Sequence, residues 1–478
     1  MYESQGLYIA GHWRQAADGS TLAVVDPASE EELGSIPIAT SSDLDAALEA
    51  AEQGFELWRR VSGHERGARL RRIADGIRER ADEVARQITQ EVGKPLAEAR
   101  AEVLATAEQF DWNAEEAQRI YGQVLAGRDA NVRLELRYGP IGVAAAFTPW
   151  NFPALLPGRK LAAALGAGCS VILKPSEEAP GAAFALAEAA HEAGLPAGTL
   201  GVVTGEPEMI SSHLLASPRV RKLTFTGSVP VGKQLMAQAA AQLTKVSLEL
   251  GGHGPVLILE DADPEATATA CAQAKFRNAG QVCISPSRFY VHRSIAEPFR
   301  EAFANVARNL RLGNGLDPEV EMGPLANPRR LKMAQSLVDD ALGLGAKLLA
   351  GGGRPSTPAT GYFFSPTVLA HVPAEARILH EEPFVPVAPI LEFDDFDEVL
   401  ARANALRYGL AAYVFTRSLQ SAERAADALE AGMVGINNFA LASAEAPFGG
   451  VKESGMGREG GALGIREFLE AKMIKTVF

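Results

Sequence analysis

Val143-Ala144-Ala145-Ala146-Phe147 is a short apolar run without a charge or a proline. Similar runs recur at Ser170 to Leu173, Gly201 to Val203 and Lys222 to Phe225. Alanine-rich stretches suited to helices separate them, near Pro157 to Leu165, Ala182 to Ala193 and Glu206 to Leu215. Short apolar runs alternating with helices predict βαβ units around a buried parallel sheet.

Upstream, Ser41 to Tyr121 reads as helical, with long charged, alanine-rich stretches such as Glu65 to Val92 that close at Gly93-Lys94-Pro95. Val124, Val132, Leu134 and Leu136 alternate with polar residues, as in an exposed strand or hairpin. A second alternating region follows Gly254. Its expected strands are Val256 to Leu259, Phe289 to Val291 and Ala412 to Phe415, with helices at Ile295 to Asn309 and Pro328 to Leu342. The fold class is therefore α/β: two open α/β domains with parallel sheets, plus a small β flap. The expected division is 1–122 with 140–250, then 251–440, with 123–139 and 441–478 as bridging or oligomerisation segments. The β-prone tail Met473 to Phe478 is expected to pair with the 124–136 segment of a neighbouring subunit.

At 478 residues the chain exceeds one hydrophobic core. It is 47% hydrophobic and 22% charged, as soluble globular enzymes are. A net charge of −13, from 46 basic and 59 acidic residues, argues against nucleic acid or an anionic membrane as a main partner. It leaves room for a small anion held by a few local arginines. Met1 to Gln5 show no signal-peptide pattern, and the apolar runs are too short or too interrupted to span a bilayer. Cys169, Cys271 and Cys283 form no CxxC pair, which fits a reducing cytoplasm. No metal is expected: His191-Glu192 and His380-Glu381 begin like zinc helices, but Leu195 and Phe384 stand where a second histidine would fall.

Cys283 ends the stretch Phe276-Arg277-Asn278-Ala279-Gly280-Gln281-Val282-Cys283. With Glu249, in Leu248-Glu249-Leu250-Gly251-Gly252, it makes a possible nucleophile and base. Gly455 to Gly460 matches GxGxxG but follows no buried strand, so it is a false dinucleotide fingerprint. Phe225-Thr226-Gly227-Ser228 follows a strand and precedes a helix near Pro230. It is either a pyrophosphate site or an ordinary βα turn. Lys174-Pro175-Ser176-Glu177, at another strand end, is either a ribose clamp or a solvated loop. In Pro149-Trp150-Asn151-Phe152-Pro153, Asn151 is either an oxyanion donor or the amide of a rigid corner.

Together with Glu381 to Phe384 and Pro447 to Glu459, these stretches resemble the NAD(P)-dependent aldehyde dehydrogenase superfamily across nearly the whole chain. The resemblance implies Cys283 as nucleophile, Asn151 and the Cys283 N–H as oxyanion hole, and Glu249 as the base that hydrolyses the thioester. Lys160 and Glu459 match a proton relay behind it. Implied cofactor contacts are Thr148, Pro149, Trp150, Lys174, Ser176, Glu177, Gly205, Phe225, Thr226, Gly227, Ser228, Val231, Leu250, Gly251, Glu382 and Phe384. The presence of Glu249 favours a free acid over a coenzyme A product, and Val385 replaces the glycine that commonly follows Phe384. A carboxylate at position 177 favours NAD over NADP, since it accepts from a ribose 2′-hydroxyl and repels a 2′-phosphate.

Within the family the chain resembles succinate-semialdehyde dehydrogenases, whose substrate clamp matches Arg159, Arg277 and Ser443. Ser285 replaces the second cysteine of members with a redox-switch disulfide. Succinate semialdehyde is the expected substrate. Glutarate or 2-oxoglutarate semialdehyde, another short anionic aldehyde, and a broad-range or aromatic aldehyde are the alternatives. A homodimer or homotetramer is expected.

Overall fold

The computed structural model describes residues 6–478. The first apolar run is the strand Val143–Phe147, fully buried because helices cover both faces of its sheet. Its parallel neighbours are Ser170–Lys174 on one side and Val220–Gly227 on the other. Leu200–Val202 extends the sheet beyond the former, and Lys245–Leu250 beyond the latter. The chain thus reverses its direction of strand addition between Val143–Phe147 and Val220–Gly227. Such a switch point opens a crevice at the carboxyl ends of the strands. Antiparallel edges complete eight strands: Leu7–Ile9 and His12–Arg14 at one side, Gly455–Met456 at the other.

The second sheet has seven strands, in the order Lys347–Ala350, Thr367–Ala370, Val387–Phe393, Pro286–His292, Gly254–Ile258, Ala411–Phe415, Met433–Ile436. All pairs but the first are parallel. Only three residues separate Leu250 of the first sheet from Gly254 of the second. The outgoing ends of one parallel sheet therefore confront the incoming ends of the other.

The helical region 41–121 consists of four helices, Ser41–Trp58, Gly63–Glu79, Ala81–Val92 and Leu96–Glu116. The stretch from Glu65 to Val92 is two helices that meet at Arg80. The expected hairpin is Gln123–Ala126 with Val132–Pro140. One expectation is corrected. The tail strand Leu469–Val477 pairs along its whole length with Val132–Pro140 of the same chain, not with a neighbouring subunit. The long strand of the hairpin has a free edge within reach, and Phe478 donates its N–H to the Asn131 carbonyl at 2.9 Å. Among the described residues no helix is long and apolar enough to cross a membrane, and all three cysteines are free.

Candidate active site

A cavity of 520 Å³ lies where the two sheets face each other. The first sheet contributes the loops after its strands. Val143–Phe147 leads to Pro149, Trp150 and Asn151, Ser170–Lys174 to Ser176 and Glu177, and Val220–Gly227 to Ser228 and Val231. Lys245–Leu250 ends in Glu249, Leu250 and Gly251 at its wall. The second half contributes Cys283, just before the strand Pro286–His292, together with Glu382 and Phe384. Phe448 and Glu459 arrive from the C-terminal segment.

Cys283 is half-buried and opens onto the cavity. Burial pushes its thiol up to about 12, and the Arg159 guanidinium pulls it back in part. Asn151 is buried and donates from Nδ2 to the Gln281 carbonyl at 3.0 Å, two residues before Cys283. One of its two amide hydrogens is thereby used and the second is left over. Glu249 is 3% exposed and neither carboxylate oxygen has a hydrogen-bond partner among the described residues. Burial, with the charge of Glu459, raises its pKa well above the ordinary carboxylate range. Lys160 lies behind, bonded to Glu459 and, at 3.0 Å, to the Thr224 hydroxyl.

The cofactor side has its own geometry. Lys174 Nζ meets Glu177 at 2.7 Å. The helix Val229–Ala240 starts directly after Ser228, so its free N–H groups point at the crevice. Trp150 and Phe384 stack edge to face at 5.8 Å. Glu382 accepts from the Gly252 N–H at 3.2 Å, and burial pushes its carboxyl up to about 7. A Cβ at Gly251 would collide with that carboxylate. The hydroxyl of Thr226 is buried at the cavity without any partner. An extended groove with an orphan donor, a helix start and a Lys–Glu pair fits a dinucleotide.

Not every expected residue reaches this cavity. Lys174, Thr148 and Lys160 stand behind its lining, and Phe225 turns into the apolar core under the sheet. Gly205 lines an adjoining cavity of 460 Å³ that shares Glu177, Glu178, Asn327 and Arg329 with the first. Arg159 is buried 4.4 Å over the ring of Phe448, with Nε unpaired. Arg277 is exposed, 5.4 Å over Phe152, and Ser443 is half-buried; neither lines the cavity. Sequence reasoning placed the helix Pro328–Gly343 but missed that its start faces the cavity. Arg329 there pairs with Glu178 at 2.6 Å, while Arg330 donates to the Pro383 carbonyl at 2.8 Å and Met333 joins the lining. The cap Asn327-Pro328 announces a helix start. Nothing local announces what that start faces.

A thiol, an unpartnered carboxylate, a free amide donor and a groove that fits a dinucleotide, all in one crevice, point to a class of enzyme. The family model described as the aldehyde dehydrogenase family matches residues 13–474, and the chain belongs to that family. It is 43% identical over 470 residues to the glutarate-semialdehyde dehydrogenase of Pseudomonas putida, covering 98% of this chain and 97% of that one. It is likewise 43% identical over 472 residues to the succinate-semialdehyde dehydrogenase [NADP(+)] GabD of Escherichia coli, covering 99% and 97%. A solved succinate-semialdehyde dehydrogenase from Burkholderia pseudomallei superposes with a TM-score of 0.97 at 42% identity, covering 99% and 98%. The protein is an aldehyde dehydrogenase with the family's α/β architecture.

Proposed function

We propose that the enzyme oxidises a short anionic aldehyde, succinate semialdehyde foremost, to the free acid with NAD. The observation that carries the substrate class is Arg159. Its guanidinium is 3% exposed and has no carboxylate or carbonyl partner among the described residues. It packs on Phe448 at the cavity wall and acts electrostatically on Cys283. The charges of Glu459 and Glu249 offset its burial only in part, and a substrate carboxylate beside the nucleophile would complete the compensation. The similar proteins named for succinate and glutarate semialdehyde support this reading, because both those aldehydes carry a carboxylate. Arg277 and Ser443 lie outside the cavity lining, and the proposed clamp requires both to close on the bound aldehyde.

In this reading the Cys283 thiol gives its proton to water in the cavity onto which it opens, and the thiolate adds to the aldehyde carbon. The resulting oxyanion accepts from the spare Asn151 amide hydrogen and the Cys283 N–H. Lys174, Glu177, Ser228, Thr226, Glu382 and their neighbours would hold NAD, which when bound would supply the hydride acceptor. Glu249 then takes a proton from water, the hydroxide displaces the Cys283 sulfur from the thioester, and the acid leaves. Lys160 and Glu459 pass the proton outward. The carboxylate of Glu177 supports NAD over NADP. The sheet of Gln123–Ala126, Val132–Pro140 and Leu469–Val477 exposes Val124, Met473 and Val477, which supports assembly into a dimer or tetramer.

The deciding experiment is a panel of C4 to C6 semialdehydes and neutral aldehydes of matched length. Arg277→Ala should raise KM for succinate semialdehyde about tenfold or more, with a far smaller change for the neutral aldehyde. Equal losses on both would end the clamp reading.

A further inference from the structure

Lys94 belongs to the turn between the helices Ala81–Val92 and Leu96–Glu116, outside every stretch that lines the cavity. Its side chain is nevertheless fully enclosed. Nζ donates to Glu102 Oε2 at 2.6 Å and to the backbone carbonyl of Asn151 at 2.6 Å, and sits 4.0 Å over the Phe152 ring. The other Glu102 oxygen accepts the N–H groups of Ala154 at 2.8 Å and Leu155 at 3.2 Å. It thereby ties down the start of the helix Leu155–Ala167, which carries Arg159 and Lys160. We propose that Lys94 and Glu102 are positioning residues, a buried ion pair that aims the Asn151 amide at the oxyanion formed on Cys283.

Three observations carry this. First, Asn151 is held at both of its ends. Its carbonyl takes Lys94 and, at 3.1 Å, Asn278 Nδ2, while its own Nδ2 spends one hydrogen on Gln281. Rotation about the loop is blocked, so the second amide hydrogen has a fixed direction. Second, the loop before Cys283 is strained. Asn278 and Ala279 both have left-handed φ, at 47° and 53°. Such backbone persists only where its surroundings over-determine it. Here Asn278 Nδ2 bridges the Asn151 and Gln281 carbonyls, Gln281 Nε2 returns to the Asn278 carbonyl at 3.0 Å, and the Ala326 N–H fixes Gln281 Oε1 at 3.0 Å. Third, a desolvated ion pair is a poor device for stability alone, since apolar packing of the same volume serves as well. What the pair adds is direction: a fixed point charge on one particular carbonyl.

The proposal rests on the reading that Asn151 serves the oxyanion, and a double-mutant cycle separates the two. Asn151→Ala should lower kcat by about 100-fold or more, the usual loss for an oxyanion donor. Lys94→Met should lower kcat about tenfold with KM nearly unchanged, the pattern of an interaction made in the transition state. In the Asn151→Ala background, Lys94→Met should cost no more than about threefold further, because the group it aims is gone. Alkylation of Cys283 by iodoacetamide builds no oxyanion at Asn151, so its rate in Lys94→Met should stay within about twofold of the parent.

Where the orphaned Glu102 prevents folding of Lys94→Met, Glu102→Gln and the pair Lys94→Met/Glu102→Gln carry the same cycle. Full additivity in the double variant overturns the proposal, as does an alkylation rate that falls in step with kcat. An Asn151→Ala enzyme with undiminished kcat sinks the oxyanion reading and this one together.

Discussion

Glu249 holds two unpartnered carboxylate oxygens in a buried wall of the cavity, which fixes how it must respond to pH and to substitution. Burial and Glu459 raise its pKa, so the base form that the proposed hydrolysis requires accumulates only as pH climbs above the ordinary carboxylate range. The acid limb of kcat should therefore lie above about pH 4.5, the region where an unperturbed glutamate titrates. Glu249→Gln should keep a rapid first-turnover burst of NADH while steady-state kcat falls roughly 100-fold or more, measured by stopped flow. Loss of the burst along with the steady state would assign Glu249 to the thiol step alone. Glu177, paired with Lys174 on the groove, offers the second single-residue test. Glu177→Ala should raise the NADP:NAD ratio of kcat/KM about tenfold or more, by freeing Lys174 for a 2′-phosphate. An unchanged ratio would remove Glu177 from the ribose.

At the scale of elements, the loop 277–280 shows how little freedom the site has. Gly280 takes φ +74°, and a Cβ there would strike the carbonyl of Val385 from the neighbouring segment. Gly280→Ala should therefore destabilise the fold by about 2 kcal/mol or more, with activity lost in parallel, by chemical denaturation and assay. The sequence announces this loop through Asn278 and Gly280, which tolerate left-handed backbone, whereas Ala279 in the same conformation carries no such signal. The strands are legible for a similar reason. A run covered on both faces, such as Val143–Phe147, must be apolar throughout, whereas the alternation in the hairpin marks strands although Gln123–Ala126 is exposed at every residue. What faces what is not written locally. The Arg329–Glu178 bond joins residues far apart in the chain, and the Lys94–Asn151 contact spans two separate turns. The tail strand shows the same limit. Its β character was readable, whereas its intrachain partner depends on where the chain ends up in space.

Across the whole molecule the buried charges make stability depend on pH in a predictable sense. Lys275 is fully buried, its Nζ has no partner among the described residues, and burial lowers its pKa to about 7. In the folded state it is neutral above that value, while unfolded chain keeps the proton to about pH 10.4. Its penalty on folding is therefore complete below pH 7 and fades as pH rises from 7 toward 10.4. Lys275→Met should raise unfolding free energy by roughly 1–4 kcal/mol at pH 6, with the gain shrinking at pH 10. A gain that grows with pH would show that the amine is charged and paired in the native state.

The confrontation of two sheets across three connecting residues also bears on recombination between homologous genes. A crossover placed at Gly251–Gly254 falls between the sheets, giving the groove beside Lys174 and Glu177 from one parent and the loop that carries Cys283 from the other. The strand Gly455–Met456 returns to the edge of the first sheet beside Lys245–Leu250, and Glu459 returns to Lys160. A two-piece chimera should therefore mismatch at that edge. A three-piece chimera, which takes its last segment from the same parent as its first, should fold and turn over.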